Sequence, residues 1–189
     1  KVDKSTIDIF IEASTDKTTL CNFTNHSYFN LDGTKNIANH NLIVNCGKVL
    51  PVDKNGIPIC KPVSTEELNL DFKNSRKLEN NGKPIEIDHN FCISNSRQYL
   101  RTHAAVSVKN ISLELLSTEP GLQIYTGKGL DSGNEKGWGK VPYKKFAGIA
   151  LEPQIWPDSP NQVGFPNPYL SPHEKYKHHT RIKFSNSKN

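Results

Sequence analysis

The run Val106-Ser107-Val108-Lys109-Asn110-Ile111-Ser112-Leu113-Glu114-Leu115 alternates apolar and polar residues on both sides of Asn110. Successive side chains of a β-strand point to opposite faces of a sheet, so a period of two is typical of a strand that buries one face. Asparagine is a common turn residue, and here it separates the two alternating halves. The run therefore predicts two short strands, each with one apolar face.

Similar segments occur along the rest of the chain. Ile7–Ile11 and Thr180–Phe184 also alternate, whereas Leu42–Val44 and Ile149–Leu151 are apolar runs typical of strands buried on both faces. Ser64–Glu67 has the spacing of a helix capping box and predicts one short helical turn. Turn signals separate the segments, at Asp32-Gly33, Asn55-Gly56, Asn81-Gly82, Pro120-Gly121 and across Gly127–Gly139. Many short strands with regular turns predict an all-β fold, either a sandwich or a barrel.

Composition limits the classes of protein that the chain can represent. Its 189 residues carry a formal charge of +5, but the lysines are scattered and do not alternate with aromatic residues. We therefore expect a solvated basic surface and no nucleic-acid partner. No apolar run approaches the ~18 residues of a membrane span, and the first residues lack the features of a signal peptide. We expect no membrane partner.

The cysteines bear on the cellular compartment. Cys21, Cys46, Cys60 and Cys92 form no Cys-x-x-Cys pair, and they lie in or beside apolar stretches. This pattern favours buried thiols in a reducing, cytoplasmic setting, and two disulfides remain the alternative for an exported protein.

Two short runs carry residues suited to proton transfer. Asn25–Asn30, with the sequence Asn-His-Ser-Tyr-Phe-Asn, presents His26 among small polar and aromatic residues. Ala150–Asp158 places Glu152 inside an apolar run that ends in a proline-containing turn. A histidine has a pKa of roughly 6.5, which suits a proton donor near physiological pH. Burial raises the pKa of a glutamate and makes it a stronger base. Together they would suffice for a reaction that only moves protons.

The order of the motifs along the chain resembles that of the aldose 1-epimerases, also called galactose mutarotases. The resemblance extends over about residues 19–185 and rests on five runs: Asn22–Leu31, Ile87–Phe91, Ser117–Gly127, Leu151–Gln154 and Phe165–Leu170. It implies the antiparallel β-sandwich of that family, the galactose mutarotase-like supersandwich. It also implies the family's reaction, which interconverts the α and β anomers of hexoses such as galactose and glucose.

The resemblance assigns roles to individual residues. Glu152 matches the general base that takes the proton of the C1 hydroxyl, and His26 matches the general acid that protonates the ring oxygen. Asp88 and Gln123 match positions that bind sugar hydroxyls, and Asn25, beside the acid, is a further substrate-binding candidate. The reaction implies a hexose as the small-molecule partner and requires no cofactor and no metal.

Chain length is the main departure from the family pattern. Family members are about twice as long, and their first half contributes an arginine and a second histidine to the sugar site. We therefore expect residues 1–189 to be a single domain that is the C-terminal portion of such a sandwich, incomplete at its N-terminus. The missing half would be fused to this chain or supplied by another, and a nucleotide-sugar epimerase domain fused in front is a further possibility.

Other functions and structural roles remain open from the sequence. A hexose-6-phosphate 1-epimerase would need clustered arginines for the phosphate, whereas the four arginines here are dispersed. A non-catalytic sugar-binding protein would not need both His26 and Glu152. Asp88 would otherwise orient a turn, and Gln123 would bond a neighbouring backbone group. Trp156 is expected to pack in the core, and the alternative is that it forms one side of the sugar cleft. A solvated tail is expected for the histidines near the C-terminus, at positions 173, 178 and 179.

Overall fold

The computed structural model describes residues 1–59 and 61–187, without the side chain of residue 138. Its regular structure is almost entirely β, in seventeen strands with two short 3₁₀ helices, Trp138–Lys140 and Ser159–Asn161. The strands are β1 (Val2–Asp3), β2 (Thr6–Ala13), β3 (Thr19–Leu20), β4 (Tyr28–Phe29), β5 (Asn41–Val44), β6 (Lys48–Val49), β7 (Val63–Ser64), β8 (Arg76–Lys77), β9 (Glu79–Asn80), β10 (Lys83–Pro84), β11 (Asp88–Cys92), β12 (Arg101–Val108), β13 (Ile111–Ser117), β14 (Gly121–Tyr125), β15 (Ile149–Gln154), β16 (Tyr169–Leu170) and β17 (Tyr176–Asn186).

Two large antiparallel sheets dominate the fold. The seven-stranded sheet has the order β1-β2-β17-β13-β12-β5-β8, and the six-stranded sheet has the order β4-β15-β14-β11-β6-β7. Two small ribbons, β10-β9 and β16-β3, lie outside them. One apolar cluster joins the two large sheets, with members such as Val106, Leu113 and Ile182 from the first sheet and Phe91 and Leu122 from the second. The all-β prediction is confirmed, and the architecture is a sandwich of two sheets.

The alternating segments form the strands expected of them. The opening run becomes the β12–β13 hairpin, in which Val108 pairs with Ile111 across a turn where Lys109 has a left-handed backbone. Ile149–Leu151 is buried on both faces as predicted, but in Leu42–Val44 only the first and last residues are buried. Ile43 is half-buried because only one face of this strand is fully covered.

The predicted helical turn at Ser64–Glu67 is wrong, although the hydrogen bonds of the capping box are present. The Ser64 N–H donates to Glu67 Oε1 at 3.1 Å, and the Glu66 N–H donates to Ser64 Oγ at 3.3 Å. Ser64 nevertheless ends strand β7, and residues 65–69 form consecutive turns. The apolar residues that follow, Leu68, Leu70 and Phe72, have the two-residue spacing of extended backbone and pack into the core.

The histidines near the C-terminus correct another expectation. Only His173 is exposed, because β17 runs between β2 and β13 inside the seven-stranded sheet. His178 is buried and contacts the Phe23 carbonyl through Nδ1 at 3.1 Å and the Thr180 hydroxyl through Nε2 at 2.7 Å. His179 lies 2.6 Å from Asp8 Oδ1. A polar sequence is compatible with this interior strand because each buried imidazole has a polar partner.

The prediction that the thiols are buried is confirmed for two of the four cysteines. Cys21 and Cys92 are buried free thiols, and Cys46 is a half-buried one whose Sγ donates to the Cys92 carbonyl at 3.0 Å. Cys60 lies outside the described residues.

Candidate active site

The outer face of the six-stranded sheet collects the polar residues of the motifs. In β14, Leu122 and Ile124 are buried in the shared core, so Gln123 and Tyr125 point to the opposite face. Leu151 in the next strand is also a core residue, which sends its neighbour Glu152 to the same outer face as Gln123. The alternation that fills the core therefore also places the candidate site.

Strand register brings these side chains into one row. Asn90 of β11 pairs with Gln123 of β14, and Gln123 pairs with Glu152 of β15. Asp88 stands two residues before Asn90 and reaches diagonally across to Gln123, whose Nε2 donates to Asp88 Oδ1 at 2.7 Å. Two of the predicted sugar ligands thus lie beside the predicted base.

His26 reaches the same row from an irregular segment. Strand β4 pairs with β15 through Tyr28–Ala150 and Phe29–Ile149. Because the strands are antiparallel, moving two residues back from Tyr28 and two residues forward from Ala150 sets His26 opposite Glu152. The side chains meet there, with His26 Nε2 3.3 Å from Glu152 Oε1. Residues far apart in the sequence therefore form one donor–acceptor pair.

The two members of the pair differ in their surroundings. The Glu152 side chain is 9% exposed, whereas that of His26 is 50% exposed. Burial raises the pKa of Glu152, the neighbouring His26 imidazole opposes that rise, and the negative charge of Asp88 adds to it. A carboxylate with a raised pKa is a stronger base, as the sequence analysis anticipated, while the exposed imidazole stays accessible to a ligand.

Tyrosines flank the imidazole. The Tyr28 ring lies 5.0 Å from the His26 ring, and the Tyr125 ring lies 6.2 Å from it. Burial raises the pKa of the Tyr28 phenol, so the phenol stays neutral in the physiological range. The Tyr125 hydroxyl is fixed by the Gly129 N–H, which donates to it at 2.6 Å. Both aromatic rings therefore lie beside the His26–Glu152 pair.

A cavity of about 330 Å³ opens over this row. Four of the five predicted site residues line it: His26, Asp88, Gln123 and Glu152. The fifth, Asn25, is exposed and is not among the described residues that line the cavity. Its Oδ1 accepts a hydrogen bond from the Ser27 N–H at 3.2 Å. Its role as a substrate ligand stays a prediction.

Some residues of the cavity were not predicted from the sequence. Asn90, Tyr125 and Gln154 also line it. Each stands two residues from a residue that was selected, on the same face of its strand, so the period of two held the signal. Trp156, for which a structural role was expected, is not among the described residues that line the cavity. Trp156 is buried and donates through Nε1 to the Pro120 carbonyl at 3.0 Å.

Within residues 1–59 and 61–187, no cluster of three or more His, Cys, Asp or Glu side chains is arranged to hold a metal ion. Over the same ranges, no helix has the length and apolar character required to cross a membrane.

The fold and the site together define a class: antiparallel β-sandwich proteins with a histidine and a glutamate facing one cavity. The sequence profile of the aldose 1-epimerase family matches residues 1–183, so the chain belongs to that family.

Known proteins of the family are similar over nearly the whole chain. It is 38% identical over 192 residues to galactose mutarotase from Bos taurus, covering 97% of this chain and 55% of that protein. It is 32% identical over 194 residues to aldose 1-epimerase from Escherichia coli K12, covering 96% of this chain and 56% of that one. The chain therefore spans a little over half the length of these relatives.

Solved structures give the same result for the fold. The GalM/aldose epimerase homologue from C. elegans superposes with a TM-score of 0.86 at 26% identity, over 96% of this chain and 56% of that one. Galactose 1-epimerase from Lactobacillus acidophilus superposes with a TM-score of 0.77 at 27% identity, over 96% of this chain and 54% of that one.

Proposed function

We propose that the protein is an aldose 1-epimerase, which interconverts the α and β anomers of hexoses such as galactose and glucose. The observation that carries the proposal is the pair formed by His26 Nε2 and Glu152 Oε1, 3.3 Å apart at the cavity. Family membership and the names of the relatives, galactose mutarotase and aldose 1-epimerase, support the same activity.

The geometry suits the opening of a cyclic hemiacetal. The C1 hydroxyl and the ring oxygen are both bonded to C1, so an acid and a base that serve them must stand close together. Glu152 takes the proton of the C1 hydroxyl, and the electron pair of that O–H bond forms the C1 carbonyl. The bond between C1 and the ring oxygen breaks, and the ring oxygen receives a proton from His26. Rotation about the C1–C2 bond and closure by the reverse steps yield the other anomer.

The remaining lining residues supply binding and orientation. The hydrogen-bonded Asp88–Gln123 pair presents a carboxylate and an amide to the hydroxyl groups of the sugar. Tyr125 lines the cavity beside His26, and an aliphatic face of a pyranose would pack against its ring. Holding the sugar in a reactive orientation lowers the entropic part of the barrier, in addition to the ~10²–10⁴-fold that each acid or base contributes.

The alternative of a hexose-6-phosphate 1-epimerase gains no support from the arginines. All four lie in the described ranges and are engaged away from the cavity. Arg181 pairs with Asp8, and Arg97 pairs with Glu119. Arg76 and Arg101 donate to the backbone carbonyls of Asn69 and Ile93, respectively.

We also propose a cytoplasmic location and a single domain over residues 1–189. The free thiols Cys21, Cys46 and Cys92 support a reducing compartment. Strands from both large sheets share one core, which supports one domain. Cell fractionation with an antibody to the native protein tests the location.

Polarimetry on freshly dissolved α-galactose tests the activity, with the protein at its natural full length. We expect the protein to accelerate the approach to anomeric equilibrium and Glu152→Gln to lower kcat by ~10²–10⁴-fold. Glu135→Gln makes the same chemical change at an exposed loop residue outside the cavity lining and should keep the full rate. Full activity in Glu152→Gln removes Glu152 as the base. Sugar binding without any acceleration by the unaltered protein would instead favour a non-catalytic sugar-binding protein.

A further inference from the structure

The backbone that carries His26 lacks the regular pairing that fixes Glu152. Glu152 lies inside β15, which pairs on one side with all five residues of β14. Residues 21–27 connect β3 to β4 without belonging to any strand or helix, although they run beside β15 in the register set by β4. An interaction other than regular strand pairing must therefore help to fix the distance between the His26 and Glu152 side chains.

The Asn22 side chain takes the place of a strand partner in this segment. Its Oδ1 accepts a hydrogen bond from the Ile155 N–H at 2.9 Å, and its Nδ2 donates to the Ile155 carbonyl at 3.2 Å. The Asn22 carboxamide thus forms hydrogen bonds with both the N–H and the carbonyl of Ile155, the residue that follows β15. On the other side of His26, Tyr28 pairs with Ala150 in the same strand. The segment with His26 is therefore tied to the strand of Glu152 at both ends.

We propose that Asn22 is a positioning residue that holds His26 against Glu152 by clamping the segment of the acid to the strand of the base. This inference rests on the proposed function for its catalytic consequence, but the geometry that it concerns exists without substrate. Asn22 lies four residues before His26 and is not among the described residues that line the cavity, so it acts only through the segment that it holds.

A second anchor keeps the segment folded when the clamp is removed. The Phe23 N–H donates to the Tyr176 hydroxyl at 3.3 Å, and the Phe23 carbonyl contacts His178 Nδ1 at 3.1 Å. The Phe23 ring also packs edge-on against the Tyr176 ring, with centroids 5.6 Å apart. Phe23 is thus fixed to β17, in the other large sheet, whereas Asn22 fixes the segment to β15. Replacing Asn22 should therefore let the distance between the His26 and Glu152 side chains vary without unfolding the chain.

The kinetic test compares Asn22→Ala with Asn45→Ala at the natural full length of the protein. Asn45 is also exposed, and its Nδ2 also donates to a backbone carbonyl, that of Thr102 at 3.2 Å, but it is outside the cavity lining. A misplacement of ~1 Å can cost about 10²-fold in rate, so we expect Asn22→Ala to lower kcat by 10- to 100-fold with KM changed less than about twofold. Asn45→Ala should keep the rate of the unaltered protein.

The spectroscopic test does not need activity. The apparent pKa of His26 is measured by NMR with and without Glu152→Gln, and the difference reports how strongly the two side chains interact. Asn22→Ala should make this difference in the His26 pKa smaller. The substitution itself leaves the groups that face His26 in place, which are Tyr28, Tyr125 and Glu152. Asn22→Asp provides a second variant: it keeps an oxygen that accepts from the Ile155 N–H but sets its other oxygen against the Ile155 carbonyl, so it should also lower kcat.

Two results overturn the proposal. One is an Asn22→Ala protein with an unaltered kcat, and the other is an unaltered effect of Glu152→Gln on the His26 titration. An unaltered protein that fails to catalyse mutarotation refutes the proposed function, whereas the NMR comparison still decides the role of Asn22.

Discussion

Two histidines buried in the fold should make the protein sensitive to mild acid. His103 on β12 and His178 on β17 are both buried. Burial is the main cause that lowers the pKa of His103 to about 3, with Arg101 adding to it, and it also lowers the pKa of His178 to about 4. Both imidazoles are therefore neutral in the folded protein at pH 5, whereas in the unfolded chain they are protonated.

The direction and size of the effect follow from this difference in proton binding. Below the ordinary histidine pKa of about 6.5, the unfolded state binds more protons than the folded state, so the free energy of unfolding falls as the pH falls. With folded-state pKa values of about 3 and about 4, lowering the pH from 7 to 5 costs about 2 kcal/mol for each histidine. The loss continues towards lower pH until the folded-state pKa of each group is reached.

Urea unfolding followed by tryptophan fluorescence at pH 7 and pH 5 measures this loss. His103→Gln removes one titrating group from the interior, so its loss between the two pH values should be smaller than that of the unaltered protein by about 2 kcal/mol. His173→Gln makes the same change at an exposed position and should leave the pH dependence unaltered. An equal pH dependence in His103→Gln and the unaltered protein would show that His103 is not held neutral by burial.

Three other predictions concern the core, a close contact and a thiol. Phe91→Ala removes a fully buried ring from the core shared by both sheets and should cost about 3–5 kcal/mol in urea unfolding; a cost below about 1 kcal/mol would mean that the site collapses around the change. Gly121→Ala would set its Cβ 2.6 Å from Asn90 Oδ1 and 2.8 Å from Trp156 Cδ1, so we expect a lower Tm and altered tryptophan fluorescence. An unaltered Tm and spectrum would contradict that contact. Burial raises the pKa of the Cys92 thiol, so mass spectrometry after alkylation should find it unlabelled until urea unfolds the protein. Rapid labelling of Cys92 in the native protein would contradict its burial.

Local alternation in the sequence predicted strands such as β12 and β13, whereas the candidate site residues were selected from the order of motifs along the chain. Leu122 and Ile124 enter the core, so Gln123 and Tyr125 face outward, and this could be worked out without coordinates. The burial of His178 could not. Its immediate sequence is polar, and its environment is created by β2 and β13, which pair with β17 from distant parts of the chain. Tertiary pairing, which no local pattern encodes, therefore overrode the expectation of a solvated tail.

The contact between His26 and Glu152 depends on a register that a single core residue helps to fix. Phe29 packs against the shared core, and its ring lies 6.3 Å from the Phe184 ring of the opposite sheet. Because side chains alternate along a strand, burial of Phe29 turns Tyr28 to the outer face, and continuing that alternation along the same direction brings His26 to that face as well. A slip of one residue between β4 and β15 would exchange the faces and expose Phe29 while turning His26 away from Glu152. The hydrophobic effect at Phe29 therefore selects the register that the acid requires, and the position of the imidazole is a consequence of core packing as well as of the Asn22 clamp.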